Sequence, residues 1–143
     1  MSVDIQQQAD GSMRFVGVDG GANSGFQITA NPYTAASVDQ VIFTAARACV
    51  VTGIIGRVDT LGTDAGAVTA TVRKVPSGTV LTGGVALHTG TYNLKGTLNT
   101  NQVLALSTTD GALRLAAGDS VVVDFAGILT AAAGCISVTM APL

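Results

Sequence analysis

Residues 113–127 read LRLAAGDSVVVDFAG. A Gly-Asp pair, Gly118-Asp119, stands between a short apolar piece ending at Leu115 and a run of valines that encloses a second aspartate, Asp124. Asp119 and Asp124 are either a catalytic carboxylate dyad or parts of a corner and the strand that leaves it. In a turn, glycine supplies positive φ and aspartate accepts hydrogen bonds from nearby backbone amides. Along a strand, successive side chains alternate between faces. Positions 119 and 124 have opposite parity, so the two carboxylates point apart, whereas a dyad must converge on one substrate bond. The structural reading follows. Ala116 to Asp119 is a corner, and SVVVDFAGI is a strand with Val121, Val123 and Phe125 on one face and Ser120, Val122 and Asp124 on the other. Val123 and Phe125 are expected in the core.

The same period of two recurs along the chain. GAVTATVRKV (66–75) sets Val68, Ala70 and Val72 against Thr69, Thr71 and Arg73, the pattern of a half-buried strand. Pro76-Ser77-Gly78 marks a turn. Val85 to Tyr92 is a weaker strand broken by Gly90. Asn99-Thr100-Asn101 turns again, Gln102 to Thr108 carries Leu104 and Leu106 on one face, and TTDG (108–111) is another turn. GCISVTMA (134–141) sends Ile136, Val138 and Met140 inward. The segment Ser37 to Ala48, SVDQVIFTAARA, is open to two readings. Ser37 with Gln40 matches a helix capping box, and Val38, Val41, Ile42 and Ala45 have helical spacing. VIF is also good strand sequence, and a strand leading into ACVVTGIIGRV is preferred. Short strands at near-regular spacing with turn signals between them predict an all-β sandwich or barrel. The body of the domain is expected over 26–143. Residues 1–25 are polar and glycine-rich, with one alternating piece from Met13 to Val18, and read as an N-terminal arm or edge segment. DGGANSG (19–25) is too rich in glycine for a central strand.

Composition points the same way. Glutamate is absent, so all nine acidic residues are aspartates, and charged residues are 11% of the 143-residue chain, against roughly 25% in an average soluble domain. Val, Thr, Ala and Gly dominate, which suits sheets better than helices. A chain this sparsely charged is expected to cover part of its outside with partners. The net charge of −2 and the scattered basic residues argue against nucleic-acid binding through a basic patch. MSVDIQQQ has no apolar stretch of the kind a secretory signal requires. No run is long and apolar enough for a transmembrane helix, and an outer-membrane barrel would need more aromatic residues at its girdles.

Residues with chemical potential do not form a constellation. His88 is the sole histidine. No GxSxG elbow supplies a serine for it, and zinc would recruit further histidines or a cysteine cluster; it reads as a partly exposed strand residue. Cys49 and Cys135 lack metal-ligand spacing and read as small buried or half-buried thiols, since a disulfide between them needs neighbouring strands. Asp59 and Asp64 flank a Thr-Leu-Gly-Thr loop and read as loop residues. DGGANSG is not a dinucleotide fingerprint, and no phosphate-binding GK[ST] occurs. No catalytic, cofactor-binding or metal-binding residue is assigned, and no cofactor is expected.

The order of pieces across 47–127 carries a resemblance. RACVVTGIIGRVDTLGTDAGAVTATVRKVPSGTVL, then LHTGTYNLKGTLNTNQVLALS, then LRLAAGDSVVVDF, with its LxLAAGDxVxVDF pattern, resembles the jelly-roll capsid cement (decoration) proteins of tailed bacteriophages. The resemblance implies a jelly-roll-like antiparallel β-sandwich that dimerises on the outside of an icosahedral head. It would bridge neighbouring major capsid protein subunits and hold them together, without enzymatic activity or a cofactor. It implies a location on the virion exterior, and in the host cytoplasm before assembly, with no nucleic-acid or membrane partner. The other reading of the composition is a head-fibre or spike-type β-domain that adheres to a host surface or glycan. Sugar stacking needs exposed aromatics, and Tyr33 and Tyr92 are the only tyrosines, with no tryptophan present.

Overall fold

The computed structural model describes residues 33–143 in full, together with the backbone of three earlier strands: β1 (Val3–Gln7), β2 (Met13–Gly17) and β3 (Phe26–Thr29). β1 and β2 pair antiparallel with one another. β2 falls on the alternating piece read from the sequence, whereas β1 lies in a polar stretch with no strand signal. DGGANSG lies outside the described residues.

The remaining strands are β4 (Gln40–Thr44), β5 (Cys49–Thr60), β6 (Thr69–Val75), β7 (Val85–Ala86), β8 (Tyr92–Asn93), β9 (Asn101–Val103), β10 (Arg114–Leu115), β11 (Ser120–Ala126) and β12 (Ala133–Pro142). They form two antiparallel sheets. One runs β10-β5-β12-β3, with β9 also on β5; the other runs β4-β11-β6-β7, with β8 also on β6. Taking β7/β8 and β9/β10 each as one interrupted strand, the chain visits eight positions from β3 to β12 and changes sheet at every step but that from β6 to β7/β8, as a jelly roll does. The fold is therefore an all-β sandwich.

The core lies between the two inner faces, as parity predicts. Val68, Ala70 and Val72 of the β6 region, Val121 and Val123 of β11, and Ile136, Val138 and Met140 of β12 are all buried in one apolar cluster with Ile54 and Val58 of β5. Two glycines admit the large rings. A side chain at Gly56 would collide with the Tyr92 ring, and one at Gly134 with Tyr33 and the Arg57 carbonyl. Phe125 lies 5.7 Å from Tyr33, centroid to centroid. It has the expected facing but is only half-buried against the core, because it stands near the strand's end. Val122, on the outer face, is nonetheless inaccessible. Arg73 is its cross-strand neighbour, and the 3-10 turn Leu81–Gly83 packs against β6 and β11.

Residues 37–48 resolve as strand β4 followed by a bend into β5. Ser37 caps no helix. Its hydroxyl accepts from the Thr34 amide at 2.8 Å, and its own amide donates to the Thr34 carbonyl at 2.9 Å, closing a turn. The strand preference prevails because Gln40, Val41, Phe43 and Thr44 pair with β11 around a bulge at Ile42, whereas a helix would leave β11 with an uncovered edge.

Candidate functional site

The corner before β11 has the construction that its residue types suggest. Gly118 has φ +92°. The Asp119 amide donates to the Ala116 carbonyl at 3.1 Å, and the Ala116 amide donates to Asp119 Oδ2 at 2.9 Å. The corner also fastens to the β4–β5 bend, where Gly118 N–H donates to the Ala45 carbonyl and Ala45 N–H to the Asp119 carbonyl, both at 2.8 Å. Asp119 thus serves its own loop. Asp124 serves the outer face of the sheet, where it accepts from Arg73 Nε at 2.6 Å while Arg73 Nη1 reaches the Gly84 carbonyl at 3.1 Å. The two carboxylates are committed to separate tasks.

Other singled-out residues are equally occupied. Asp59 pairs with Arg57 at 2.7 Å, and Asp64 accepts from the Gly66 amide at 3.1 Å. Among the described residues, no group of three or more His, Cys or Asp side chains is placed to hold a metal ion. Cys49 and Cys135 are free thiols, one buried and one half-buried. Their strands are neighbours, but Cys49 pairs with Pro142 while Cys135 lies opposite Arg57. The offset of seven residues along β12 is about 23 Å, far beyond disulfide reach. Burial pushes the Cys49 thiol up, away from the reactive thiolate.

His88 departs from its expected exposure: it is buried, with 2% of its surface accessible. Its Nε2 accepts from the Val72 amide at 3.0 Å, and Nδ1 lies 3.4 Å from the Thr89 carbonyl. This assigns the neutral tautomer protonated on Nδ1. Burial holds its pKa below the usual histidine value; the Thr89 carbonyl opposes that effect and the Arg73 charge adds to it. Sequence reasoning missed this role because the demand for an acceptor arises from strand pairing.

Tyr33 and Tyr92 are buried, and neither hydroxyl has a hydrogen-bond partner. Burial raises both phenols, Tyr92 to about 12. With both rings inside, the described surface presents no tyrosine for stacking on a sugar. What it presents is aliphatic. Val38, Val41 and Ile128 are exposed, as are Leu98 and Val103 at the β9 margin and Val80 and Val85 at the β7 margin. Phe43, Ala46, Arg47 and Cys49 line a shallow depression at the β4–β5 bend. No helix among the described residues is long and apolar enough to cross a membrane. The geometry offers margins and faces for contact, and Asp59, Asp64, Asp119, Asp124 and His88 each bond within their own fold.

No family model matches the chain, and no curated protein matches it. Among solved structures, a chain of the cyanophage Pam1 capsid asymmetric unit shares the fold. The TM-score is 0.54 at 15% identity, over 95% of this chain and 97% of that one. A chain from the structure of infectious bursal disease virus, Gx strain, aligns with 89% of this chain and 36% of its own length, at 12% identity and a TM-score of 0.31.

Proposed function

We propose that this protein is a structural virion component, and specifically a capsid cement (decoration) protein. It binds the outside of an icosahedral phage head and bridges neighbouring major capsid subunits. The observation that carries this reading is the end-to-end likeness of its jelly roll to a chain of a phage capsid asymmetric unit. The exposed aliphatic residues at the sheet margins support it. So do the 11% of charged residues, since a surface meant for contact needs less charge than one meant only for water. In this reading the protein acts as a homodimer on the capsid exterior after folding in the host cytoplasm. Residues 1–25 form an arm that reaches a neighbouring subunit, and no step of the role is enzymatic.

A partner that binds only the assembled shell stabilises it by mass action. Each contact needs only about 1,000 Å², because many copies act on one particle. The test compares heads with and without the protein during heating. Heads lacking it are expected to form and to break at lower temperature, and added salt should weaken the contact little, because it is mainly apolar. Heads that fail to form without it would make it a shell or scaffold component. Heads equally robust without it would favour an adhesion module of the fibre or spike type.

A further inference from the structure

His88 stands where one strand changes partners. The Leu87 amide donates to the Val72 carbonyl at 2.8 Å, as β7 continues along β6. In a hydrogen-bonded antiparallel pair the Val72 amide would return the bond to the Leu87 carbonyl. That carbonyl instead accepts from the Ser107 amide at 2.9 Å, and the Thr89 amide donates to the Ala105 carbonyl at 2.8 Å. His88 itself bridges Leu106. Between Leu87 and Tyr92 the strand therefore departs from β6, which it rejoins as β8, and pairs with 105–107, the continuation of β9, which belongs to the other sheet. This closes one side of the sandwich. The switch strips the buried Val72 amide of its backbone acceptor, and His88 Nε2 takes that place at 3.0 Å.

An imidazole can fill this role only while neutral, because both nitrogens of the imidazolium are donors. We propose that His88 is an acid-sensitive latch on this corner: the neutral ring holds the strand against both sheets, and protonation at Nε2 leaves the Val72 amide without an acceptor and opens the corner.

The surroundings favour such a device. Among the described residues, the charge that acts on His88 is Arg73 on β6, which disfavours the imidazolium and is itself paired with Asp124 on β11. Residues 104–107 carry no ionisable side chain, and Tyr92 is the other titratable group on the strand run 85–93. The composition isolates the signal as well. There is one histidine and no glutamate, and aspartates ordinarily titrate near ~3.9 and histidine near ~6.5. His88 is thus the side chain expected to titrate between pH 5 and 7.5. Its sign follows from linkage. The closed form favours the neutral ring, and the opened form binds a proton near the ordinary value. The latch is at full strength above that value and weakens as pH falls below it. From pH 7.5 to 5.0 the equilibrium constant for opening should rise, by at most about 30-fold, the limit set by a closed form that takes up no proton over that range.

The experiment is amide hydrogen exchange at Val72, Thr89 and Ser107, corrected for intrinsic rates, on the wild type and on His88→Gln. The glutamine can offer an acceptor oxygen without titrating. The expected result is easier opening at pH 5.0 than at 7.5 in the wild type, by up to about 30-fold, and no such change in the variant. Equal pH dependence in the two proteins would overturn the proposal. If the variant does not fold, ¹⁵N spectra of the wild-type ring decide. A neutral ring with bare Nε2 persisting at pH 5.5 supports the latch. A ring titrating at its ordinary value within the folded state, or carrying its proton on Nε2, refutes it.

Discussion

Removing the Asp124 carboxylate tests whether the aspartate of the VVVDF run belongs to the fabric of the sheet. Asp124 and Arg73 are bonded at 2.6 Å, with 13% and 25% of their side-chain surfaces accessible. A hydrogen bond to a charged group contributes about 1.5–3 kcal/mol. Breaking one side of a fully buried pair costs about 3–5 kcal/mol, because the other charge stays behind. Arg73 keeps some access to water and a second bond to the Gly84 carbonyl, which places Asp124→Ala below the fully buried case, at about 2–3 kcal/mol. Replacing both partners, as Arg73→Met with Asp124→Leu, should restore stability to within about 1 kcal/mol of the wild type. The assay is urea unfolding at pH 7, with ΔG taken from midpoints at constant m. Asp119→Asn in the same assay should cost under about 1 kcal/mol, since an amide oxygen can still accept from Ala116. A coupling energy between Arg73 and Asp124 below about 0.5 kcal/mol would mean the pair behaves as an exposed surface bridge, and the argument from its burial would be wrong.

Two further outcomes are expected. Phe125→Ala should cost about 2 kcal/mol, less than the roughly 3–5 of a fully buried phenylalanine, because the ring is half-buried; an unchanged melting temperature would show that its packing on Tyr33 contributes nothing. Tyr92→Phe should leave stability at pH 7 unchanged or raise it slightly, since the hydroxyl is buried without a partner. Because burial raises the Tyr92 phenol to about 12, its neutral form stabilises the fold fully below pH ~10, and that contribution is lost as pH rises from the ordinary value of ~10 towards the folded one. The melting temperature of the wild type should therefore fall more steeply between pH 9 and 11 than that of Tyr92→Phe, and parallel curves would refute the assignment.

Local chemistry made much of this fold legible. Gly78, Gly90, Gly111 and Gly118 all adopt positive φ at the predicted turns and breaks, because a residue without Cβ tolerates that conformation at little steric cost. The alternation at 68–72 and 136–140 buries the predicted side of each strand. Both signals act within a few residues, so a linear reading captures them. Val122 escaped that reading. Its parity points outward, and only the ion pair and 3-10 turn on that face explain its burial. Phe125 shows the opposite error, since correct facing cannot tell how close a residue stands to the end of a strand.

The amino-acid sequence by itself determined the all-β class, the glycine-marked corners and the inward sets of β6, β11 and β12. These follow from the two-residue period of an extended chain and the steric freedom of glycine. It also assigned Asp119 and Asp124 to opposite directions. The tertiary structure decided the rest: the order of strands in each sheet, the interior placement of both tyrosines, and the switch of the Leu87 carbonyl from Val72 to Ser107 that calls for His88. Each depends on residues far apart in the chain meeting in space, and the hydrogen-bonding needs created there are absent until the two sheets close on one another.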